Sequence, residues 1–317
     1  MAVTREEVIC AYRLLLNRDP ESEAAIDGHL GAEDLRHLRH NFMSCAEYRY
    51  ANGYLDRWMV APVFNDTRLL WVNMQDKFVS IHCVMDAYEP ENSALISALL
   101  KPGDIFLDLG ANVGWFTLLA STIVGPTGHI YCFEPQPLIA ERLARTIALN
   151  GLQEMVTLRQ AGVWNRAGSM ALAGDGDSEN QGAAHLLPGG SGSARSSMVD
   201  LIALDSLALE RCDVIKMDIE GAEPKAMEGA EQLLRATRPI ILSELHSRQL
   251  GVVSEMDCAG FISEMRARDY VCIGSRGEAG GQAILPDQDL DQVFTDVLFI
   301  PQEKVDRITA RLFGKDG

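Results

Sequence analysis

A short strand that runs into a glycine turn constrains the fold of this chain more than any other segment. In residues 104–116, a run of Ile, Phe and Leu leads into Gly110 and Gly114, and a helix is predicted from 117 to 122. An apolar run bounded by turn residues favours a strand that is buried on both faces. The two glycines allow the backbone to turn sharply and lie close to a ligand, where a side chain would clash.

The spacing of the two glycines and the charge of a nearby acid indicate which ligand binds at this turn. Gly110 and Gly114 are spaced Gly-x-x-x-Gly and lack the Gly-x-Gly-x-x-Gly of dinucleotide sites. Asp108 stands before the first glycine, where its charge would repel a diphosphate and attract a cation. S-adenosylmethionine carries an ammonium and a sulfonium but no phosphate, so this acid favours it. A glycine turn in another kind of α/β protein is the alternative for this segment alone.

A second acid ends the next predicted strand. Glu134 follows the apolar run 129–133 and precedes Pro135, which ends the strand. An acid roughly 20 residues past the glycine turn is placed to accept hydrogen bonds from two ribose hydroxyls. Glu134 is therefore predicted to bind the ribose of the cofactor, and a solvated strand end is the alternative.

Composition excludes some classes of partner. The 317 residues include 45 acidic and 28 basic side chains, a net charge of −17, which argues against nucleic acid and anionic membranes. The seven cysteines form no Cys-x-x-Cys pair, so neither a zinc site nor a disulfide framework is predicted. The sequence shows no signal-peptide core and no apolar run of membrane length. We therefore expect a cytoplasmic protein with a small-molecule partner.

Residues 1–55 are predicted to form a helical accessory module. Thr4 and Glu7 have the spacing of a capping box, and apolar residues then recur at helical intervals. The pattern Tyr-Arg-Leu-Leu-Leu-Asn-Arg-Asp-Pro, followed by Ser-x-x-Glu-Tyr, resembles phycobilisome-linker domains. Substrate docking or assembly of a homodimer through these helices is the expected role.

Two further regions complete the predicted division. Residues 56–95 are expected to hold a β-hairpin, with strands at 67–72 and 78–84, and a linker that covers the active site. Residues 96–317 alternate strands and helices, which predicts a doubly wound, mostly parallel sheet. Within them, 174–197 is rich in Gly and Ser and predicts a flexible loop, either a lid or a disordered excursion.

Polar residues concentrate at the carboxyl ends of the predicted strands, where such sheets bind ligands. They are Asp108, Glu134, Asp218 with Glu220, and Glu244 with His246. His246 is the first candidate for the base that deprotonates an acceptor, because its ordinary pKa lies near neutrality. Asp218 is the second candidate.

The same acids offer two other interpretations. Asp218, Glu220 and Glu244 have the oxygen ligands that Mg²⁺ prefers. Alternatively, Glu220 is a charge at a helix N-terminus and His246 is a hydrogen-bonded histidine at a strand end.

Several segments together carry a resemblance to one family. They are Tyr88-Glu89-Pro90, Asp108-Leu-Gly-Ala-Asn-Val-Gly114, Phe133-Glu134-Pro135, Leu204-Asp205-Ser206-Leu207 and Ile215-Lys-Met-Asp-Ile-Glu-Gly-Ala-Glu223. In this order and spacing, over about residues 65–300, the chain resembles the FkbM family of S-adenosylmethionine-dependent methyltransferases.

The resemblance implies a Rossmann-like, seven-stranded class I methyltransferase fold. It also implies O-methylation of a hydroxyl on a secondary metabolite or sugar, although some similar proteins methylate nitrogen. The residues that would hold the cofactor are Asp108, Gly110, Asn112, Gly114 and Glu134. Those in or beside the reaction site are Tyr88, Glu89, Lys216, Asp218, Glu220 and Glu223.

One position departs from the expected cofactor site. The exit of the third predicted strand, Ala161-Gly162-Val163, has no Asp or Asn to bind the adenine amine. An NAD-linked dehydrogenase or epimerase on a similar fold is the alternative enzyme. A binding protein that has lost catalysis is a third class, against which the joint presence of Asp108, Glu134 and Asp218 argues.

Overall fold

The described chain forms two compact units. The computed structural model describes residues 3–45, 47–48, 58–174, 184–188, 196–275, 282–283 and 295–313. One unit extends to Tyr88 and the other begins at Glu89. The predicted division at residues 1–55, 56–95 and 96–317 stays a prediction.

Three capped helices open the first unit. They are α1 (Arg5–Leu16), α2 (Glu23–Asp27) and α3 (Leu35–Ser44). Thr4, Ser22 and Asp34 each accept a backbone N–H at the start of one helix, and the capping box between Thr4 and Glu7 is confirmed. The helices pack through Val8, Tyr12, Leu16, Leu38 and Phe42, which all lie in one apolar core.

The predicted hairpin is wrong in its second strand. Strands β1 (Trp58–Val63) and β2 (Arg68–Asn73) pair antiparallel, whereas Ser80–Val84 is the helix α4. The buried Asp76 carboxylate accepts the amide N–H groups of Phe78, Val79 and Ser80. These local bonds form a turn that leads into the helix, so the apolar residues that follow do not extend as a strand.

The second unit combines one large and one small sheet. Its helices are α5 (Pro90–Leu99), α6 (Trp115–Val124), α7 (Pro137–Leu149), α8 (Glu223–Glu228), α9 (Glu231–Thr237), α10 (Ser247–Val253), α11 (Cys258–Ala267) and α12 (Val305–Phe313), with 3₁₀ turns at Leu204–Leu207 and Gln302–Lys304. Its strands are β3 (Ile105–Leu109), β4 (His129–Phe133), β5 (Val156–Arg159), β6 (Gly162–Val163), β7 (Gly168–Ala173), β8 (His185–Leu187), β9 (Ser196–Ile202), β10 (Val214–Met217), β11 (Ile240–Leu245), β12 (Tyr270–Ser275), β13 (Gln282–Ala283) and β14 (Thr295–Pro301).

The large sheet confirms the predicted fold class. Its strand order is β13-β12-β14-β11-β10-β3-β4-β5. Strands β11, β10, β3, β4 and β5 run parallel, and β14 is antiparallel to both of its neighbours, β11 and β12. Without the two-residue edge strand β13, this is the seven-stranded, mostly parallel sheet of class I methyltransferases. The strand order reverses between β3 and β10, and such a switch point opens a ligand crevice at the carboxyl ends of the strands.

The small sheet changes the interpretation of residues 161–202. Gly162 and Val163 leave the predicted third strand to form β6 in a sheet of order β6-β9-β7-β8. Of the predicted flexible stretch 174–197, residues 175–183 and 189–195 lie outside the described chain. The described part includes β8, which pairs with β7.

Alternation along β3 separates the core from the site. Leu107 and Leu109 lie in the apolar core with Ile215 and Met217 of β10. Burying each such side chain contributes about 1.5–3 kcal/mol to folding. The alternate positions of the two strands point to the opposite face, where Asp108 is the cross-strand partner of Lys216. The sheet thereby brings an acid and a base together on one face. Among the helices of the described residues, none has the length and apolar character needed to cross a membrane.

Candidate active site

The glycine turn after β3 is shaped first by contacts within the protein. Gly110 has a φ of +81°, and a Cβ added there would lie 1.9 Å from the carbonyl oxygen of Asp218. Gly114 has a φ of +102°, and its added Cβ would lie 2.5 Å from Leu143 Cδ1. A positive φ disfavours residues that carry a Cβ. The turn therefore requires glycine at both positions, even before a ligand approaches.

Glu134 is bound to the same turn through backbone donors. Its Oε2 accepts the Asn112 N–H at 3.0 Å and its Oε1 accepts the Gln136 N–H at 2.8 Å. The side chain is 4% exposed, and burial raises the pKa of its carboxyl to about 7. Each carboxylate oxygen has a second lone pair. Glu134 can therefore accept a further hydrogen bond beside the turn, as ribose recognition requires.

Asp108 is fully buried beneath the turn. Its Oδ2 accepts a hydrogen bond of 2.6 Å from Thr117 Oγ1, and its Oδ1 has no hydrogen-bond partner among the described residues. Burial raises the pKa of this carboxyl to about 6. An unpartnered buried oxygen is costly, and a donor from a ligand would relieve that cost.

Lys216 places a cation at the centre of the site. Its Nζ lies 2.9 Å from Asp218 Oδ2 and 4.8 Å from the ring centre of Phe116. Burial acts to lower the pKa of Lys216, but the carboxylates of Asp218, Glu89 and Asp108 outweigh it and raise that pKa overall. The ammonium therefore stays charged inside the fold and balances part of the surrounding negative charge.

Three carboxylates converge next to this lysine, and we call them the carboxylate cluster. Glu89, Asp218 and Glu244 each have one carboxylate oxygen that lies within 4.8 Å of the other two. The sequence predicted Glu220 as a ligand together with Asp218 and Glu244, but among the described residues Glu220 is not part of this group. The charge of Asp218, followed by burial, raises the pKa of Glu244 to about 9. The cluster therefore favours the protonated form of Glu244, which reduces its net negative charge.

Asn92 and Asp296 are site residues that the sequence did not reveal. The Asn92 Nδ2 donates to Glu89 Oε2 at 2.9 Å and to Asp296 Oδ1 at 3.0 Å. Burial raises the pKa of Asp296. A signal for Asp296 was present in the sequence, because an acid precedes the apolar run 297–300 of a central strand. Asn92 stands at a helix start and gave no such signal.

The loop after β10 carries two further acids. Glu220 has a φ of +51°, and burial, followed by the charge of Asp218, raises its pKa to about 7. Glu223 is 1% exposed, its Oε1 accepts the Ile219 N–H at 3.1 Å, and its Oε2 has no partner within the described chain. Burial raises the pKa of Glu223 to about 8. Glu223 therefore supports the loop from below, while its predicted contact with substrate stays a prediction.

His246 caps a helix. Its Nδ1 accepts the Gln249 N–H at 3.4 Å at the start of α10. A neutral imidazole has one acceptor nitrogen, so the cap occupies the lone pair that a base would use. This geometry agrees with the alternative of a hydrogen-bonded histidine at a strand end. Tyr88, the other predicted site residue, is half-buried and ends the first unit, and its role stays a prediction.

Comparison with known proteins finds one family match and two related methyltransferases. Residues 108–272 match the family described as Methyltransferase FkbM domain. The chain is 27% identical over 184 residues to 2-O-methyltransferase NoeI of Sinorhizobium fredii, a match that covers 51% of this chain and 74% of that protein. It is 27% identical over 174 residues to methyltransferase sdnD of Sordaria araneosa, a match that covers 43% of this chain and 63% of that protein.

A solved structure also resembles the chain. Methyltransferase FkbM from Methylobacillus flagellatus KT shares 14% identity and aligns with a TM-score of 0.41, over 92% of this chain and 58% of that one. The family match begins at residue 108, so the resemblance of residues 1–55 to phycobilisome-linker domains stays a prediction.

Proposed function

The chain belongs to the FkbM family of S-adenosylmethionine-dependent methyltransferases, and from this premise we propose that it methylates a hydroxyl of a small neutral molecule. The observation that carries the proposal is the carboxylate cluster of Glu89, Asp218 and Glu244 beside the glycine turn. A hydroxyl acceptor must lose a proton during transfer, and a carboxylate within hydrogen-bond reach can accept it.

The cofactor half of the site consists of the turn and the two acids that flank it. We assign Glu134 to the ribose hydroxyls and the unpartnered Oδ1 of Asp108 to the ammonium side of the cofactor. Gly110, Asn112 and Gly114 supply the turn itself. S-adenosylmethionine supplies an activated methyl group when it is bound, so the protein has to align the acceptor and remove its proton.

Asp218 is the base that the geometry favours. Its carboxylate is paired with Lys216 and belongs to the cluster, whereas the acceptor nitrogen of His246 is engaged in a helix cap. Glu89 and Glu244 would orient the acceptor hydroxyl, with Glu89 accepting a hydrogen bond and protonated Glu244 donating one to the acceptor oxygen. Glu223 holds the loop that carries Asp218, because it accepts the Ile219 N–H.

Magnesium was the other means of activation predicted from the sequence. Three carboxylate oxygens suit a hard cation, but the Lys216 ammonium already forms an ion pair with one of them. We therefore propose transfer that does not depend on a divalent cation. Turnover should be unchanged after dialysis against a chelator, and loss of turnover with recovery upon addition of Mg²⁺ would contradict this.

The negative charge of the carboxylate cluster indicates the class of acceptor. The cluster would repel a phosphorylated acceptor, while a neutral sugar or a secondary metabolite with free hydroxyls suits it. The name of one relative, 2-O-methyltransferase, agrees with transfer to oxygen. An amine is the second candidate, because the excess of carboxylates would also attract a cation.

The test is methyl transfer from labelled S-adenosylmethionine to a panel of methyl hexopyranosides, hexose phosphates and primary amines. We expect label in the neutral hydroxyl compounds and little in the phosphates. Label in the amines alone would move the proposal to N-methylation, and label in none would refute it for these classes.

Cofactor binding is tested separately by calorimetry. S-adenosylhomocysteine should bind and NAD should not. Asp108→Asn should weaken binding of S-adenosylhomocysteine by about 2 kcal/mol, as expected for a lost hydrogen bond to a charged group. Unchanged affinity would remove Asp108 from the cofactor site.

The remaining sequence predictions are kept as proposals. We propose that residues 1–55 are an accessory module that assembles a homodimer and that the protein is cytoplasmic. Sedimentation of the whole chain tests the dimer.

A further inference from the structure

The side chain of Asn92 joins two carboxylates that would otherwise repel each other. Both bonds come from one nitrogen, Nδ2, at 2.9 Å to Glu89 Oε2 and 3.0 Å to Asp296 Oδ1. An amide nitrogen carries two hydrogens, so these two acceptors use its full donor capacity. Asn92 is only 5% exposed, and little water is available to replace either bond.

The two acceptors are connected to the carboxylate cluster in different ways. Glu89 is a member of the cluster, and Asp296 on β14 is the cross-strand partner of Glu244 on β11, another member. Acids that face each other across neighbouring strands destabilise the pair. A neutral double donor between Glu89 and Asp296 offsets the repulsion and fixes the distance between their side chains.

The Glu89 carboxylate depends on the hydrogen bond from Asn92, because the backbone at Glu89 does not fix the direction of its side chain. The residue precedes α5 with φ +40° and ψ +64°, a left-handed conformation that is uncommon outside glycine. The torsions of a glutamate side chain also have several staggered states, so the carboxylate is not fixed by the backbone alone. The bond from Asn92 selects the rotamer that keeps it in the cluster.

We propose that Asn92 is a positioning residue for acceptor binding: it holds the Glu89 carboxylate against Asp218 and Glu244, with Asp296 as its second point of attachment. This inference rests on the proposed function, because it assigns Glu89 to the acceptor. Asn92 itself does not contact the reacting atoms. Its effect on turnover passes through Glu89.

The test is a double-mutant cycle on the whole protein, with methyl hexopyranosides as acceptors. Asn92→Ala should lower kcat/KM for the acceptor roughly tenfold, the loss expected for a hydrogen bond to a charged group, and leave KM for S-adenosylmethionine unchanged. In a Glu89→Gln background the same change should have little further effect, because residues that act through one another are not additive. Asn92→Asp is a second variant of the same size, and it should lower turnover further because its carboxylate would face two others.

The matched control is Ser97→Ala in the same helix. Its Oγ donates to the Ser93 carbonyl on the exposed side of α5, so this variant loses a helix-surface hydrogen bond without touching the cluster. It should keep wild-type kinetics. Fully additive losses from Asn92→Ala and Glu89→Gln, or an equal loss in Ser97→Ala, would overturn the proposal.

Crystal structures of the wild type and of Asn92→Ala, both with S-adenosylhomocysteine, provide a readout that needs no acceptor. We expect the Glu89 carboxylate to leave the cluster in the variant. If it stays in place, the positioning role is refuted even when the enzyme is active. If the wild type methylates no acceptor, the proposed function fails, and the position of Glu89 in these two structures still decides whether Asn92 holds it.

Discussion

The two halves of the candidate active site are built in different ways. In the cofactor half, Glu134 binds the backbone of Asn112, only 22 residues away, and the glycine turn lies between two adjacent strands. In the acceptor half, Asn92 bonds Asp296 across 204 residues, and the carboxylate cluster draws one residue from each of three separate segments. Local spacing therefore specifies the first half, while the second exists only once the whole sheet is assembled.

Gly110 packs on the Asp218 carbonyl where the two halves meet, and we expect the largest effect from a substitution at this contact. Gly110→Ala forces a Cβ to 1.9 Å from the Asp218 carbonyl oxygen and places alanine at a φ of +81°. We expect a loss on the order of 3 kcal/mol or more in the free energy of unfolding, together with weaker binding of S-adenosylhomocysteine. Gly151→Ala is the control: its φ of +66° is also positive, but nothing lies within 4 Å of an added Cβ. Equal losses in the two variants, measured by denaturant unfolding, would show that the contact with Asp218 is unimportant.

Asp218→Asn should impair methyl transfer while cofactor binding is retained. The amide oxygen can still accept a hydrogen bond from Lys216, so the fold and cofactor affinity should persist while the base is lost. Turnover is expected to fall about 100-fold or more. Asp213→Asn, at the other end of the same strand, should keep near wild-type turnover, since its carboxylate binds the Ile105 N–H and Arg211. Normal turnover in Asp218→Asn would assign proton removal to another group.

Glu223→Gln should change how stability depends on pH. Burial raises the pKa of Glu223 from an ordinary 4.5 to about 8, so the folded state favours the protonated form. Its contribution to stability is complete below pH 4.5 and is lost as pH rises through 8. The glutamine variant should therefore lose less stability than the wild type between these values, as measured by urea unfolding at several pH values.

A control for Glu223 lies in the same helix. Hydrogen bonds from Lys225 and Asn165 outweigh burial and lower the pKa of Glu228, so this carboxylate stabilises the fold above its ordinary pKa and loses that effect as pH falls. Glu228→Gln should accordingly lower stability at neutral pH. The same pH response in both variants would contradict the assigned cause.

His246→Asn should have the smallest effect. Asparagine is a good N-cap residue and can replace Nδ1 as the acceptor for the Gln249 N–H. If His246 serves as a cap, turnover stays near the wild-type value. A fall of about 100-fold would restore the histidine as the catalytic base.

Features that depend on local sequence were predicted, whereas features that depend on a single side chain or on distant residues were missed. The mostly parallel sheet and the glycine turn were predicted correctly, because buried strands, glycines and strand-end acids leave local signals in the sequence. The strand predicted at 78–84 is a helix, since the deciding bonds come from the single side chain of Asp76. Asn92 was missed because its importance comes from a partner on the last strand of the sheet.

The metal ligands predicted from the sequence show the same limit. Position after predicted strands grouped Glu220 with Asp218 and Glu244, but Glu220 lies in a turn with positive φ, and Glu89 is the third member of the cluster. Backbone direction within a turn is a tertiary property, and residue type alone does not reveal it.

The close packing of Gly110 on the Asp218 carbonyl has a consequence for how the specificity of this enzyme can change. In the proposed arrangement, main-chain atoms set the distance between the methyl donor and Asp218 as the base, so this distance does not depend on the surrounding side chains. Under the same proposal, substitutions at Glu89 or Glu244 would change which acceptors bind without changing this distance.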